Sequence, residues 1–328
     1  METRLFGRTG LEVSRLTFGC GAVGGLMTNG EPKDQDNAVA WARDNGITFF
    51  DTAASYGDGA SETNLGRALR GNTDGIIVST KVGLADADLS DVAGAVRRSI
   101  DSSLRRLNLD HVDLFQLHNT IGRADRRGTL HTDQVLAEVL PVFEELRAAG
   151  KTRFLGFTAK GDPLQLHRLV ASEAFDSAQV FYNLLVPSAG RSVQPNYPAE
   201  DFGQLLGAAQ EHGVGAIGVR VLAGGALSGT ESRHRLGLPT VTPIGSNTDY
   251  ATDVRRALRF KPLIDQGHAA NLPELAIRYA ISHSALPTIE VGIASLDELQ
   301  RATGAVNNGP LDASTLEQIS SIQDELAT

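Results

Sequence analysis

The stretch Phe49–Gly57, F-F-D-T-A-A-S-Y-G, decides how the rest of the chain is read. Apolar Ile47, Phe49 and Phe50 end abruptly in an acid, Asp51; small residues follow, then Tyr56 and the flexible Gly57. A buried strand that delivers a carboxylate and a phenol into its following loop packs poorly but concentrates proton chemistry. The carboxyl ends of parallel strands are where α/β architectures collect reactive groups. On its own the stretch reads more readily as an Asp capping a helix and a Tyr covering a rim. Two later apolar runs end the same way. Ile76–Val78, with Ser79 and Thr80, gives Lys81, and Val112–Leu117 gives His118 and then Asn119.

Working outward, the chain alternates. Arg4–Phe6 and Val13–Leu16 flank a Gly-containing turn and read as a hairpin. Leu16–Gly19 reads as a first buried strand, followed by a mobile stretch from Cys20 to Gly30. Helices are expected at Asp34–Asn45, after Ser61, and at Asp91–Leu107, where Val92, Val96, Ile100, Leu104 and Leu107 share a face. Further helices are expected at Val135–Ala148, Pro163–Ser172, Phe202–His212, Arg255–Gln266, Leu272–Ser282, Leu296–Val306 and Ala313–Leu326. The later strands are Thr152–Phe157, Ala178–Tyr182, Val214–Val219 and Thr288–Val291. A polar, proline-containing segment interrupts the rhythm from Gly229 to Ser246. Eight strands alternating with helices imply right-handed crossovers and a parallel sheet. Eight units in about 300 residues favour a closed (β/α)8 TIM barrel with an N-terminal β-hairpin and an extra C-terminal helix. No G-x-G-x-x-G separates a first strand from its helix, which weakens an open sheet. The expectation is a single domain over residues 1–328.

Composition narrows the function. The 328 residues are 41% hydrophobic and carry 35 glycines, which suits a large core with many tight turns. A net charge of −9 argues against a nucleic-acid or anionic-membrane surface. One cysteine, Cys20, precludes an internal disulfide and suits a reducing compartment. The opening M-E-T-R-L-F-G lacks the apolar core of a signal peptide, and no run reaches membrane-spanning length, so a cytoplasmic protein is expected.

Asp51, Tyr56, Lys81 and His118 would meet at one barrel mouth. Individually, Lys81 could snorkel to water and His118 could be a hydrogen-bonded rim residue. Together they suit carbonyl reduction. An ammonium favours phenolate and lowers the tyrosine pKa, while a carboxylate holds the lysine charged and oriented. The phenol then donates a proton as hydride arrives, and the imidazole hydrogen-bonds the carbonyl oxygen. The scattered histidines form no H-E-x-x-H or other metal spacing, so the chemistry is expected to be metal-independent.

The motifs G-I-T-F-F-D-T-A-A-S-Y-G, S-E-T-N-L-G-R-A-L, S-T-K-V and V-D-L-F-Q-L-H-N resemble those of the aldo-keto reductases. The resemblance spans essentially the whole chain. It implies a barrel oxidoreductase using NADP(H) or NAD(H), with the tetrad at Asp51, Tyr56, Lys81 and His118 and Tyr56 as general acid/base. Where the family grips the nicotinamide carboxamide with Ser-Asn and Gln, this chain has Thr158, Ala159 and Gln179. Where many members read Y-S-P-L-G-x-G-L-L, it reads V-R-V-L-A-G-G-A-L. Val219 replaces a stacking ring and Arg220 adds a cation, while Leu222, Ala223, Gly224 and Leu227 suit a loop wrapping the pyrophosphate. At the adenosine end Ser295 is kept, but Ala294 and Glu298 replace a cation and a Gln. That exchange implies tolerance of NAD(H), although drift at a helix start accounts for it equally.

Two loops leaving the mouth would line a small-molecule carbonyl or alcohol site. One carries Asn119, Arg123, Arg126, Arg127 and His131; the other carries Arg191, Gln194, Asn196 and Tyr197. Solvated basic loops are the competing reading. The leading expectation is an oxidoreductase for a sugar, aldehyde or ketone. The alternatives are a non-catalytic nucleotide-sensing barrel, and a lyase or hydrolase using Asp51 and His118.

Overall fold

In the computed structural model, which describes residues 1–70, 72–123 and 127–327, eight parallel strands close into a barrel. Strands β1 (Thr3–Leu5) and β2 (Glu12–Ser14) form the antiparallel hairpin that precedes it. Then follow β3 (Leu16–Gly19), α1 (Leu26–Asn29), α2 (Pro32–Asp44), β4 (Phe49–Asp51), α3 (Ala60–Leu69), β5 (Ile77–Val82), α4 (Val92–Leu107) and β6 (Val112–Leu117). Two short strands, β7 (Thr120–Ile121) and β8 (Thr129–Leu130), pair outside the barrel before α5 (Thr132–Gln134), α6 (Leu140–Ala148) and β9 (Thr152–Ala159). The second half runs α7 (Pro163–Ala171), β10 (Ser177–Phe181), α8 (Leu205–Glu211), β11 (Gly215–Val219), α9 (Tyr250–Leu258), α10 (Lys261–Asp265), α11 (Leu272–Ile281), β12 (Thr288–Gly292), α12 (Leu296–Asn307) and α13 (Ala313–Glu325). The barrel order is β10-β11-β12-β3-β4-β5-β6-β9, as the alternation requires. No helix among the described residues is long and apolar enough to cross a membrane.

Burial explains the expected helix faces. Val96 and Ile100 of α4 are fully buried, and Asp91 caps the helix by accepting the Gly94 amide at 2.9 Å. Between barrel and helices an aromatic chain runs Phe115–Phe143–Phe175–Phe157, with ring centroids 4.9, 6.3 and 5.4 Å apart. Phe6, just after β1, closes the base of the barrel edge-on to Phe49 at 5.9 Å. It fits because Gly215 has no side chain: a Cβ there would lie 2.8 Å from the Phe6 ring.

Three expectations need correction. The helix expected over Val135–Ala148 contains a π-turn at Val135–Val139, because Pro141 has no N–H and its ring excludes a regular helical bond. The helix expected over Arg255–Gln266 is two, since Pro262 forces a new start after Phe260. The stretch from Cys20 to Gly30, expected to be mobile, contains α1 and is hydrogen-bonded to the polar segment. Leu238 N–H reaches Ala22 O at 3.1 Å, and Asn29 Nδ2 reaches Leu236 O at 2.8 Å.

Candidate active site

The barrel floor beneath the mouth is polar, and the sequence places its groups by alternation along the strands. Asp51 ends β4, Ser79 and Lys81 lie two apart on β5, and Gln116 sits beside them on β6. All four are buried. One Asp51 oxygen accepts the Ser79 hydroxyl and the Gln116 amide, the latter at 3.1 Å; the other pairs with the Lys81 ammonium. Lys81 Nζ also donates to Thr52 O at 2.8 Å and lies 3.3 Å from the Tyr56 hydroxyl. His118, just past β6, meets Tyr56 edge-on with centroids 5.8 Å apart. The four groups from three strand ends therefore share one mouth.

Electrostatics correct one expectation. Burial pushes the Tyr56 phenol up to about 12, and the opposing pull of Lys81 does not offset it. Burial likewise pulls at the Lys81 ammonium, but Asp51, Tyr56 and Glu290 together hold it above its usual value. Burial, reinforced by Lys81 and Lys160, pushes His118 down to about 3, so the ring is neutral at ordinary pH. An imidazole so held can donate or accept a hydrogen bond without carrying charge.

The His118 shift has a stability consequence. Its folded pKa lies below the unfolded value, so proton binding favours the unfolded chain. The penalty is absent above about 6.5 and grows as pH falls toward 3, by up to about 1.4 kcal/mol per unit. We expect His118→Gln to lose less stability than the parent between pH 7 and 5, measured by chemical denaturation at both values. Equal losses in both proteins would contradict this burial.

A cleft of about 990 Å³ runs from Tyr56 and His118, past Thr158, Gln179, Val219 and Arg220, to Glu298 and Arg301. Its outer wall includes Arg233, from the segment that interrupts the sequence rhythm, and Tyr250, which opens α9. Arg233 ties that segment down, donating to Gly224 O at 2.7 Å, Leu238 O at 2.6 Å and Val23 O at 3.3 Å. A sequence model of the aldo/keto reductase family matches residues 15–324. The chain belongs to this family. It is 29% identical to L-galactose dehydrogenase of Arabidopsis thaliana over 98% of this chain and 94% of that protein. It is 26% identical to L-glyceraldehyde 3-phosphate reductase of Escherichia coli O157:H7 over 97% and 91%. Among solved structures, aldo-keto reductase AKR11C1 from Bacillus halodurans, in its holo form, matches with a TM-score of 0.71 and 25% identity over 98% of this chain and 96% of that one.

As an aldo-keto reductase the protein is an NAD(P)-dependent oxidoreductase acting on small-molecule carbonyl compounds. The cleft fits a dinucleotide. Its size suits one, and Gly224 and Gly225, at φ +68° and +109°, present bare backbone to it. A Cβ on Gly224 would lie 2.8 Å from both Arg220 Nη1 and Val241 Cγ1, so the turn admits no side chain. Leu222 lines the cleft; Leu227 and Ala223 do not, Leu227 being fully buried beneath the turn. Thr158 donates to Gln179 Oε1 at 3.1 Å, so the two polar groups form one pair. Ser295 caps α12 through the Glu298 amide, and Glu298 in turn accepts the Ala294 N–H at 2.9 Å. The Arg301 guanidinium is paired with Asp297.

Of the residues expected to line a substrate site, Asn119, Arg123, Arg127 and Arg191 do not line the cleft. Asn119 is buried and braces two loops through Leu84 N and O, both at 2.8 Å, and Gly128 O at 3.1 Å. Arg191 is bonded to Gln323 and Asp324 of α13, at 3.1 and 3.0 Å. Arg127 points to solvent, 3.8 Å from Asp86, and Arg123 is exposed. Arg126 lies outside the described residues. Sequence reasoning missed Lys160 and Glu290, which both line the cleft near its mouth. The signal for Glu290 was an acid inside the apolar run T-I-E-V, of the kind that identified Asp51.

Proposed function

We propose that the protein interconverts a carbonyl and an alcohol by hydride transfer, with Tyr56 as general acid/base and residues 1–328 working as one unit. The observation that carries this reading is the Lys81 ammonium, paired with Asp51 and 3.3 Å from the phenol it faces. The bound dinucleotide supplies or accepts the hydride. Tyr56 gives its proton to the carbonyl oxygen in reduction and takes it back in oxidation. Lys81 favours the phenolate, Asp51 orients Lys81, and neutral His118 offers the same oxygen a hydrogen bond. Thr158, Gln179, Leu222, Gly224 and Arg220 would hold the dinucleotide. A polyhydroxy aldehyde or sugar is the substrate class favoured, since Arg220, Lys160 and His118 make the mouth polar and L-galactose dehydrogenase is among the relatives. Absorbance of the reduced dinucleotide, followed against sugars, simple aldehydes and ketones, tests this; turnover with apolar ketones alone would overturn the sugar assignment.

At the far end Arg301 is already paired and the acid Glu298 lines the cleft, an arrangement that disfavours a 2′-phosphate. We expect NADH to bind at least as tightly as NADPH, and Glu298→Gln to shift the ratio toward NADPH by about tenfold. Dissociation constants at one ionic strength check this. A hundredfold preference for NADPH that is unmoved by the substitution would end the idea.

A further inference from the structure

Glu290 is an acid that the reaction above does not use. It sits on β12, two residues below Gly292, and lines the cleft. Along the adjoining strands Gly292 pairs with Gly19, and Gly19 with Asp51. Gly19 has no side chain, and a Cβ there would stand 3.0 Å from Glu290 Oε1 and 2.7 Å from Val291 O. Across that gap Asp51, the strand neighbour of Gly19, acts on the Glu290 carboxyl.

Two neighbouring buried carboxyls resist carrying two negative charges. Asp51 already has the Ser79, Gln116 and Lys81 donors, whereas Glu290 receives Gln179 Nε2 at 3.0 Å. Glu290, with one amide donor and no cation bonded to it among the described residues, is therefore the acid that more readily keeps its proton. Burial and Asp51 push its carboxyl well above the usual carboxylate range, against the pull of Lys81 and Arg220.

We propose that Glu290 makes the site discriminate between the redox states of its dinucleotide, binding the oxidised form with release of the carboxyl proton. The inference rests on the reading that the Tyr56 mouth receives the nicotinamide end. Hydride transfer to a carbonyl held by Tyr56 requires contact distances of about 3–3.5 Å, which brings that ring to the wall where Glu290 lies. The oxidised ring is a cation and the reduced ring is neutral. A cation entering the cleft favours ionised Glu290, so its proton leaves to solvent and the oxidised form gains a counter-charge.

The other groups acting on Glu290 leave the range from pH 6 to 9 clear. Tyr56 is pushed up to about 12, Lys81 is held above its usual value, and burial raises the Cys20 thiol well above its own. Burial lowers Arg220 from an ordinary value far above this range, and His118, elsewhere on the wall, is pushed down to about 3. Asp51, bonded to Ser79, Gln116 and Lys81, is the remaining partner.

The test is the dissociation constant of NAD+ and of NADH, or of NADP+ and NADPH, at pH 6, 7.5 and 9, for the parent and Glu290→Gln. The two forms share one adenosine half, so their ratio reads the nicotinamide end alone. In the parent we expect the preference for the oxidised form to rise by about tenfold across the range. In Glu290→Gln, whose amide still accepts from Gln179, the ratio should be flat. Calorimetry of the parent in two buffers of different ionisation enthalpy should show protons released with the oxidised form and not the reduced one. That second measurement needs no variant. A ratio that is independent of pH in the parent, equal slopes in parent and variant, or equal proton release by both forms overturns the proposal. Binding of neither form would instead overturn the reading of the cleft, and the proposal with it.

Discussion

Tyr56→Phe is expected to slow carbonyl reduction by about two to four orders of magnitude while dinucleotide affinity stays within a few-fold. The substitution removes one oxygen from a ring that otherwise keeps its edge contact with His118. It leaves Lys81 with its Asp51 and Thr52 partners. What disappears is the proton that neutralises the developing alkoxide. Steady-state rates at saturating dinucleotide, with affinity measured separately by fluorescence, separate the two effects. A variant keeping half the parental rate, with hydride transfer shown to be limiting, would remove Tyr56 from the chemistry.

Lys81→Met carries the second large effect, and it acts on stability and rate together. Lys81 and Asp51 are both fully enclosed as side chains, so deleting the cation strands a buried carboxylate. Breaking such a pair by one partner typically costs about 3–5 kcal/mol. The same change removes the charge that opposes desolvation of the Tyr56 phenol, so the phenol should move still further above about 12. Denaturant unfolding should show the loss, and changing Asp51 to Asn in the Lys81→Met background should recover part of it. Near-parental stability in Lys81→Met would mean that the ion pair contributes little.

The barrel was legible because its signal is repeated. Each strand is an apolar run and each helix an amphipathic one, so errors in single elements did not alter the count. The misplaced boundaries trace to Pro141 and Pro262, whose missing N–H groups act within one turn and leave the hydrophobic period unchanged. Asp51, Lys81 and His118 stood out because a charged or titratable group at the end of a buried strand conflicts with packing. Arg191 and Asn119 misled for the opposite reason. Both stand in loops leaving the mouth, but their directions depend on contacts with α13 and with the loop after β5. Long-range pairings of that kind have no local sequence pattern. Glu290 obeyed the rule that identified Asp51 and was passed over inside a short apolar run. The sign of the Tyr56 shift was misjudged because a nearby cation is visible in the sequence, whereas the depth of desolvation is not.

The most direct test is the pH dependence of single-turnover hydride transfer in both directions, at saturating dinucleotide, for the parent and Tyr56→Phe. With the phenol pushed up to about 12, it stays protonated through pH 10. Reduction, which needs the acid, should therefore be flat from pH 7 to 10. Alcohol oxidation, which needs the phenolate, should rise by about tenfold per pH unit over the same range. Both should be slow in Tyr56→Phe, with the rise lost. The same two profiles in parent and variant would contradict the assignment of Tyr56 as the proton-transferring group.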